Sequence, residues 1–201
     1  MVTHDLNGNV FLTDKIKMEY NGIKECFCIE TFRGNQEFVT EEHPFLVWES
    51  GEDKPKWKKT KHLYENDCVA IMKELPVFGD FKADIDEIKA NAYLTNKVLP
   101  KHIKNANKDT LRVYIKTLFE LDANYKKHEI VLKNESNQFL HELKTELLKF
   151  GVCCSIRFEK FLIIDDCIEE FIKEFGVPEN LSIIPENKFS YSLPNQVQFT
   201  S

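Results

Sequence analysis

The most reactive side chains of this chain belong to six cysteines, Cys26, Cys28, Cys68, Cys153, Cys154 and Cys167. Cys26 and Cys28 form a C-x-C, which a strand would present on one face, whereas Cys153 and Cys154 are adjacent and point opposite ways. Neither spacing is the paired C-x-x-C of a structural zinc site. We therefore expect free, buried thiols in a reducing compartment, with neither disulfides nor bound metal.

Two further residues could do chemistry because of where they stand. Asp122 follows a predicted helix, 108–121, and the helix dipole disfavours an anion at that end, so the carboxylate is either a solvated surface acid or has a function there. His43 comes three residues after Thr40 and directly before a predicted strand. An imidazole can transfer protons near neutral pH, although a histidine in this place is otherwise an ordinary turn residue.

The composition is typical of a folded protein with a considerable core. Among 201 residues, 42% are hydrophobic and 30% are charged, and the formal net charge is −6. This acidic balance argues against a protein that binds bulk DNA or anionic membrane through excess lysine and arginine. No apolar run reaches the roughly 20 residues that a membrane span needs, and no export signal is visible, which predicts a cytoplasmic protein.

The first eighty residues favour short strands. Alternating apolar and polar side chains are interrupted by Asn21-Gly22 and by Gly34-Asn35, and Asn-Gly between such runs predicts a hairpin. The apolar runs PFLVW and CVAIM predict further strands. Short strands with regularly spaced turns are typical of a small β-barrel or sandwich.

The remainder of the chain alternates between helical and extended patterns. Residues 84–97 have helical spacing that Pro100 ends, and Asn107 is a candidate cap for the helix that follows. The run HEIVLKN predicts a strand, and Ser136 can cap a helix that Gly151 ends. CCSIRFEKFLIID predicts two short strands and CIEEFIKEFG predicts the last helix. The pattern changes near residues 76–83, so the chain is expected to have two modules.

The first module resembles a known family in residues 38–71. This segment is similar to the second conserved block of inteins and related Hint domains, in which T-x-x-H precedes an apolar strand, Trp, Leu and Gly-Asp-x-Val. The matching residues here are Thr40, His43, Trp57, Leu63, Asn66, Asp67 and Val69. Asn66 replaces the family's glycine and can adopt the same left-handed backbone. The resemblance implies that His43 polarises a scissile peptide bond and that Thr40 helps to hold it.

The second module resembles a different family in residues 99–177. This segment is similar to the second repeat of a LAGLIDADG homing endonuclease, a module that is found inserted in inteins. Its signature helix is TLFELDA, residues 117–123, in which Asp122 occupies the acidic position and Ala123 replaces a glycine. The resemblance implies that Asp122 binds Mg²⁺ for two-metal hydrolysis of DNA.

Together the resemblances imply an α+β chain. Residues 1–79 are expected to form a partial, all-β Hint-like domain. Residues 80–178 are expected to form a degenerate LAGLIDADG-like mixed α/β module with an antiparallel sheet, and residues 179–201 a tail. No element is predicted in that tail, which follows Val177.

The chain departs from both families where their chemistry requires particular residues. It begins Met1-Val2-Thr3 and ends QVQFTS, without the nucleophile and the His-Asn pair of the splice junctions. The best candidate for the first signature helix is ANAYLTNKV, in which Asn96-Lys97 replaces the acid. One carboxylate is insufficient for two metal ions, and Lys97 would repel them. We expect impaired splicing and impaired cleavage.

In LAGLIDADG proteins, strands read the DNA major groove through basic and polar side chains. The corresponding candidates here are Lys126, Lys127, His128, Lys133, Arg157 and Lys160. Acidic residues outnumber basic ones over residues 80–180, so the alternative is that these side chains are merely solvated.

Three functions remain open. The first is an intein- and endonuclease-derived protein that has lost catalysis and retains duplex DNA binding. The second is a structural or adaptor subunit that uses the fold to bind a partner protein in a larger assembly. The third is an active, Mg²⁺-dependent site-specific DNA endonuclease, working as a homodimer or with another chain. None of the three involves a membrane.

Overall fold

A computed structural model describes residues 2–4, 10–12, 19–31, 36–49, 51–94, 98–176 and 197–200. The chain divides into two compact units, of which unit 1 comprises Met1–Lys73 together with Phe189–Ser201 and unit 2 comprises Glu74–Lys188. Unit 2 is therefore inserted, along the sequence, between two segments of unit 1. The protein is mixed α+β with antiparallel sheets, as the sequence predicts.

Unit 1 is built from antiparallel strands. Its strands are β1 (Val2–His4), β2 (Val10–Leu12), β3 (Phe27–Glu30), β4 (Gln36–Val39), β5 (Pro44–Trp48), β6 (Lys56–Lys59) and β7 (Cys68–Met72), joined at the end of the chain by β12 (Val197–Thr200). β1 pairs with β2 and β3 with β4, while the remaining four form one sheet in the order β12-β7-β5-β6. A turn of 3₁₀ helix, Thr60–His62, follows β6.

Two turn predictions in unit 1 have different outcomes. The strands on either side of Gly34-Asn35 pair with each other, Glu30 with Gln36 on the antiparallel β3 and β4, whereas the turn itself lies outside the described residues. The hairpin expected at Asn21-Gly22 is wrong for the described residues: Gly22 has φ +79°, but residues 19–26 contain no strand. An Asn-Gly turn forms a hairpin only where both flanking runs find a partner.

Unit 2 packs five helices with a four-stranded antiparallel sheet. Its elements are α1 (Ile85–Leu94), α2 (Lys101–Lys104), α3 (Lys108–Asp122), β8 (Ala123–Lys126), β9 (Glu129–Lys133), α4 (Asn137–Leu148), β10 (Ser155–Arg157), β11 (Phe161–Ile164) and α5 (Ile168–Phe175). The sheet order is β10-β11-β9-β8. None of the helices within the described residues has the length and apolar character to cross a membrane.

Two predicted helix N-termini of unit 2 are confirmed by their capping contacts. The Asn107 side chain accepts a hydrogen bond from the Thr110 amide at 2.9 Å, and the Ser136 hydroxyl accepts one from the Phe139 amide at 3.2 Å. Each side chain satisfies an amide that the first helical turn leaves unpaired. Gly151 follows α4 with φ +73°, the left-handed conformation that ends a helix.

The core of unit 2 lies where the helices meet the sheet. Its largest fully buried side chains include Tyr114 and Phe119 of α3, Phe139 of α4 and Phe171 of α5. The Phe119 and Phe171 rings lie 4.8 Å apart, centroid to centroid. By contrast, only Leu46, Val47 and Val69 are buried apolar residues among the described part of unit 1. Unit 2 therefore has the larger apolar core of the two as described.

Candidate functional site

The T-x-x-H motif forms a tight turn at the start of β5. The His43 amide donates to the Thr40 carbonyl oxygen at 3.1 Å. Thr60, which is buried, donates twice to the His43 carbonyl oxygen, from its amide at 2.9 Å and from its hydroxyl at 3.0 Å. The backbone of His43 is therefore fixed, while its ring is exposed and contacts the edge of Phe45 at 5.1 Å.

An open pocket of about 330 Å³ lies beside this turn. It is lined by Lys24, Glu25, Phe27, Thr40, Glu41 and Glu42. Hydrogen bonds from Lys59 and Lys61 lower the pKa of the Glu42 carboxyl to about 2, so this carboxylate is ionised at neutral pH. Thr40 thus lines the pocket, but His43 is not among its lining residues.

The Asp67 of the Hint-like segment lies in a charged cluster. Its carboxylate accepts hydrogen bonds from Lys58 Nζ at 2.8 Å and from the Tyr64 amide at 2.8 Å. Lys58 Nζ also lies 3.1 Å from Glu49 Oε1. Burial alone would raise the pKa of Asp67, but Lys58 and the Tyr64 amide outweigh it and lower that pKa. These contacts hold the turn in which Asn66 has φ +73°, the left-handed conformation expected from the sequence.

The two long helical segments at the start of unit 2 begin side by side. Phe81 and Ala106 form a parallel β-bridge, in which the Phe81 amide donates to the Asn105 carbonyl oxygen at 3.0 Å. Beyond the bridge, the Ala83 amide donates to the Thr110 hydroxyl at 3.4 Å. Because the chain enters α1 and α3 in the same direction, the two helices pack along each other in parallel.

This arrangement places α1 beside the signature helix α3. α1 includes residues 90–94, the first part of the segment that the sequence offered as the first signature helix. The predicted replacement of the acid by Asn96-Lys97 falls outside the described residues, so that prediction stands as made. The α1 residues Ile88 and Ala92 are buried, and so is Thr117 of α3, one of the small residues of the signature helix.

Asp122 is the last residue of α3, and its side chain is exposed. Within the described part of the chain, no group of three or more His, Cys, Asp or Glu side chains is arranged to hold a metal ion. A carboxylate at the negative end of a helix dipole gains nothing from the helix. The described residues therefore do not fit a site for two divalent metal ions at Asp122.

The sequence-predicted DNA-binding residues fall into two groups at opposite ends of β9. Lys126, Lys127 and His128 lie at the β8–β9 turn. The other three lie at the far end, where Lys133 pairs across the sheet with Phe161 and Phe161 pairs with Arg157. The side chains of Lys133 and Arg157 share one face because directly paired residues in a sheet point the same way. Lys160 belongs to the β10–β11 turn beside them.

These cations have acidic partners. Lys126 Nζ lies 2.6 Å from Glu129 Oε1, and Arg157 lies 3.4 Å from Asp165. Lys133 and Lys160 share Glu135, at 3.3 Å and 2.8 Å. All four cations are at least half-exposed, and exposed pairs of this kind contribute little to stability because solvent screens them. A phosphate group could therefore replace the carboxylates at small cost.

Asp122 lies at the same end of the sheet as Lys133. Ala123, which follows it, pairs with Leu132, which precedes Lys133. This end of unit 2 thus combines Lys133, Arg157 and Lys160 with the acids Asp122, Glu135 and Glu159, and Arg157 is paired with Asp165. The exposed cations are groups that contact a phosphate backbone, and that contact would have to displace their acidic partners.

The cysteine prediction is confirmed in part. All six thiols are free, and Cys153, Cys154 and Cys167 are buried. Burial raises the pKa of Cys154 to about 12, and a hydrogen bond with Cys153 together with burial raises the pKa of Cys167. These thiols stay protonated and unreactive at neutral pH. Cys26 and Cys28 are exposed, which corrects the expectation of buried thiols, and Cys26 precedes β3 rather than sharing a strand face with Cys28.

Comparison with known proteins gives one partial similarity. No family model matches the chain. A segment of 74 residues, 36% of the chain, is 32% identical to part of the replication factor C small subunit of Methanocaldococcus jannaschii. The match covers 4% of that protein, so the chain spans only a small fraction of the curated relative that it matches.

Sequence reasoning missed one feature at the basic end of the sheet. Phe158, in the β10–β11 turn, is 85% exposed. It has φ +53°, and the next residue, Glu159, has φ +56°. The signal was available as a hairpin whose turn contains no Gly, Asn or Asp, the residues that such a turn normally requires.

Proposed function

We propose that this chain is an intein-type β domain interrupted by a LAGLIDADG-like module that no longer cleaves DNA and retains binding to duplex DNA. The observation that carries the proposal is the insertion of unit 2 within unit 1. The chain leaves unit 1 after β7 and later returns to pair β12 with β7, with Val197 opposite Met72. An endonuclease module inserted in a splicing domain has this chain order.

The internal order of unit 2 supports the same proposal. A signature helix, α3, leads into strands, a helix, two strands and a final helix, which is the order expected from the resemblance. The packing of α1 along α3 supports a paired-helix arrangement in which α1 stands for the first repeat. Because α1 already occupies one side of α3, a homodimer that pairs two copies of α3 has less support.

Loss of cleavage is proposed because an acid occupies the terminal position of only one of the two signature helices, at Asp122. Two-metal hydrolysis needs carboxylates that hold two ions about 4 Å apart over the phosphate. Asp122 supplies one carboxylate, and the described residues around it offer no metal-binding group. The active, Mg²⁺-dependent endonuclease therefore remains an alternative that needs a second acid from elsewhere.

A structural or adaptor subunit is the second candidate. The ion pairs of Lys126, Lys133, Arg157 and Lys160 favour it, because a surface of balanced charge suits a protein partner as well as DNA. The name of the partial relative does not decide between them. A match of 74 residues that forms 4% of a chain implies a length on the order of 1,800 residues, with room for many domains.

The test is binding of the full chain to a labelled duplex, measured by fluorescence anisotropy against salt concentration. The proposal predicts binding at low salt that weakens steeply as salt rises, because each phosphate contact releases a counterion. Incubation of the same duplex with Mg²⁺ or Mn²⁺ should give no cleavage. Absence of binding at low salt would exclude the proposal and the endonuclease together, and would leave the protein-binding candidate.

A further inference from the structure

The β10–β11 turn presents an aromatic ring in a backbone conformation that disfavours it. The Lys160 amide donates to the Arg157 carbonyl oxygen at 3.2 Å, which closes a four-residue turn around Phe158 and Glu159. Both central residues have positive φ, at +53° and +56°, so the turn is type I′. Asn-Gly is the preferred pair for this turn, and a bulky residue with positive φ is an outlier.

Neither packing nor solubility accounts for a phenylalanine in this turn. Phe158 is 85% exposed, so it contributes almost nothing to the core. Strained, exposed residues of this kind are retained where the surrounding structure holds them for a function. The turn itself is well anchored, because the Asn134 amide donates to the Lys160 carbonyl oxygen at 2.9 Å.

The surroundings of the ring indicate what it contacts. Arg157 precedes it in the chain, Glu159 and Lys160 follow it, and Lys133 lies on the same face of the sheet as Arg157. All three cations are at least half-exposed, and each has an acidic partner in the free protein. An aromatic ring between exposed cations is the combination that binds a base and its neighbouring phosphates.

We infer that Phe158 stacks on a base that has left the helical stack of duplex DNA, while Arg157, Lys160 and Lys133 contact the flanking phosphates. This inference rests on the proposed function, since it needs unit 2 to bind DNA. It adds a contact that is independent of charge. The ring contributes affinity without counterion release, and the cations contribute the salt dependence.

The test compares the full chain with its Phe158→Ala and Lys160→Ala variants on two labelled duplexes of mixed sequence. One duplex is fully paired, and the other carries a single unpaired base. Wild type should prefer the unpaired base. Phe158→Ala should weaken binding to that duplex by about 5- to 100-fold and abolish the preference, with an unchanged salt slope. Lys160→Ala should keep the preference and reduce the slope by about 1.

Two further variants separate loss of a contact from loss of fold. Phe158→Asn and Glu159→Gly should each raise the melting temperature by about 2–4 °C, because each places a tolerant residue at a left-handed position. Phe158→Asn should nevertheless lose the preference for the unpaired base. Glu159→Gly should keep it and bind DNA at least as tightly as wild type, because it removes a negative charge.

Each contrary result has its own meaning. If wild type binds duplex DNA and Phe158→Ala binds each of the two probes as tightly as wild type does, the stacking inference is wrong and the proposed function stands. If wild type binds neither probe at low salt, both are wrong. If wild type is dimeric and Phe158→Ala is monomeric with unchanged DNA binding, the ring is a protein contact and the inference is overturned.

Discussion

Phe81 and Ala106 form a parallel β-bridge, and this bridge aligns the two helices that follow it. The chain passes from Phe81 into α1 and from Ala106 into α3, so the two helices start together and run in the same direction. A single pair of residues therefore places the start of α1 beside the start of α3, the helix that ends at Asp122.

Close approach at the bridge depends on Gly79. Its amide donates to the Ala106 carbonyl oxygen at 3.0 Å, and a Cβ at this position would overlap the carbonyl group of Asn105. We expect Gly79→Ala to lower the free energy of unfolding of unit 2 by about 2–3 kcal/mol, because the backbone must move apart. Chemical denaturation followed by circular dichroism would measure this change.

Gly151→Ala is the matched control for this substitution, because Gly151 also lies in unit 2. Gly151 has φ +73° and a Cβ there would meet only the Glu74 side chain at 3.8 Å, so alanine brings only backbone strain, about 1 kcal/mol. Equal losses for the two variants would mean that the contact between Gly79 and Asn105 does not determine the position of α1.

Stability of unit 1 should depend on pH through Asp67. Its folded-state pKa is lowered despite burial, because Lys58 and the Tyr64 amide favour the carboxylate. The ionised group therefore stabilises the fold above about pH 4, the ordinary range of an aspartate, and this contribution disappears as pH falls through the lower, folded-state pKa. Asp67→Asn should cost about 1–2 kcal/mol at neutral pH and make the acid limb of stability flatter.

The measurement is thermal unfolding of both proteins between neutral and acidic pH. Glu52→Gln serves as the control, because Glu52 is exposed and lies 3.7 Å from Lys56. It should leave the profile unchanged. If Asp67→Asn retains the full acid sensitivity of wild type, other carboxylates control it.

The features that the sequence predicts well, helix caps and left-handed turn residues, are determined by nearby residues. Asn107 and Ser136 cap helices, and Asn66 and Gly151 take left-handed conformations, because each depends on only a few neighbouring residues. Such signals are readable without knowing the fold. The same holds for the α+β class, which follows from changes in hydrophobic period.

What the sequence does not reveal depends on distant partners. β12 is four residues long and forms only because β7, far away in the chain, offers an edge with Thr200 opposite Val69. β8, Ala123–Lys126, follows α3 without an intervening turn, so the sequence has no breaking residue that would separate the strand from the helix. The Lys58–Asp67 contact joins residues on either side of a 3₁₀ turn, and no local pattern specifies it.

Asp122→Asn tests whether this acid has any catalytic role. The change removes an anion from the C-terminal end of α3, so we expect a gain of about 0.3–1 kcal/mol in stability. DNA binding should tighten slightly, since Lys133 lies at the same end of the sheet. Wild type and variant should both fail to cleave DNA with Mg²⁺.

Glu120→Gln is the control for charge alone, because Glu120 is an exposed acid on the same helix, 3.8 Å from Lys116. A Mg²⁺-dependent cut made by wild type and by Glu120→Gln, but not by Asp122→Asn, would establish the active endonuclease and overturn the loss of cleavage. A cut that survives Asp122→Asn would come from other residues.

The insertion of unit 2 makes unit 1 separable from it. Met72 pairs with Val197, so the chain leaves and re-enters unit 1 on adjacent strands, which a short connection can join. A chain that joins residues 1–73 to 189–201 through a Gly-Ser linker should therefore retain its β-sheet spectrum and a cooperative thermal transition. Residues 74–188 alone should retain helical structure and DNA binding, because the apolar core of unit 2 is formed by its own residues.

A chain truncated after residue 188 provides the contrast. The thermal transition of unit 1 should be lost, since β7 loses β12, while that of unit 2 is unchanged. Unfolding of both separated units would show that they fold only as one, which is contrary to an inserted module.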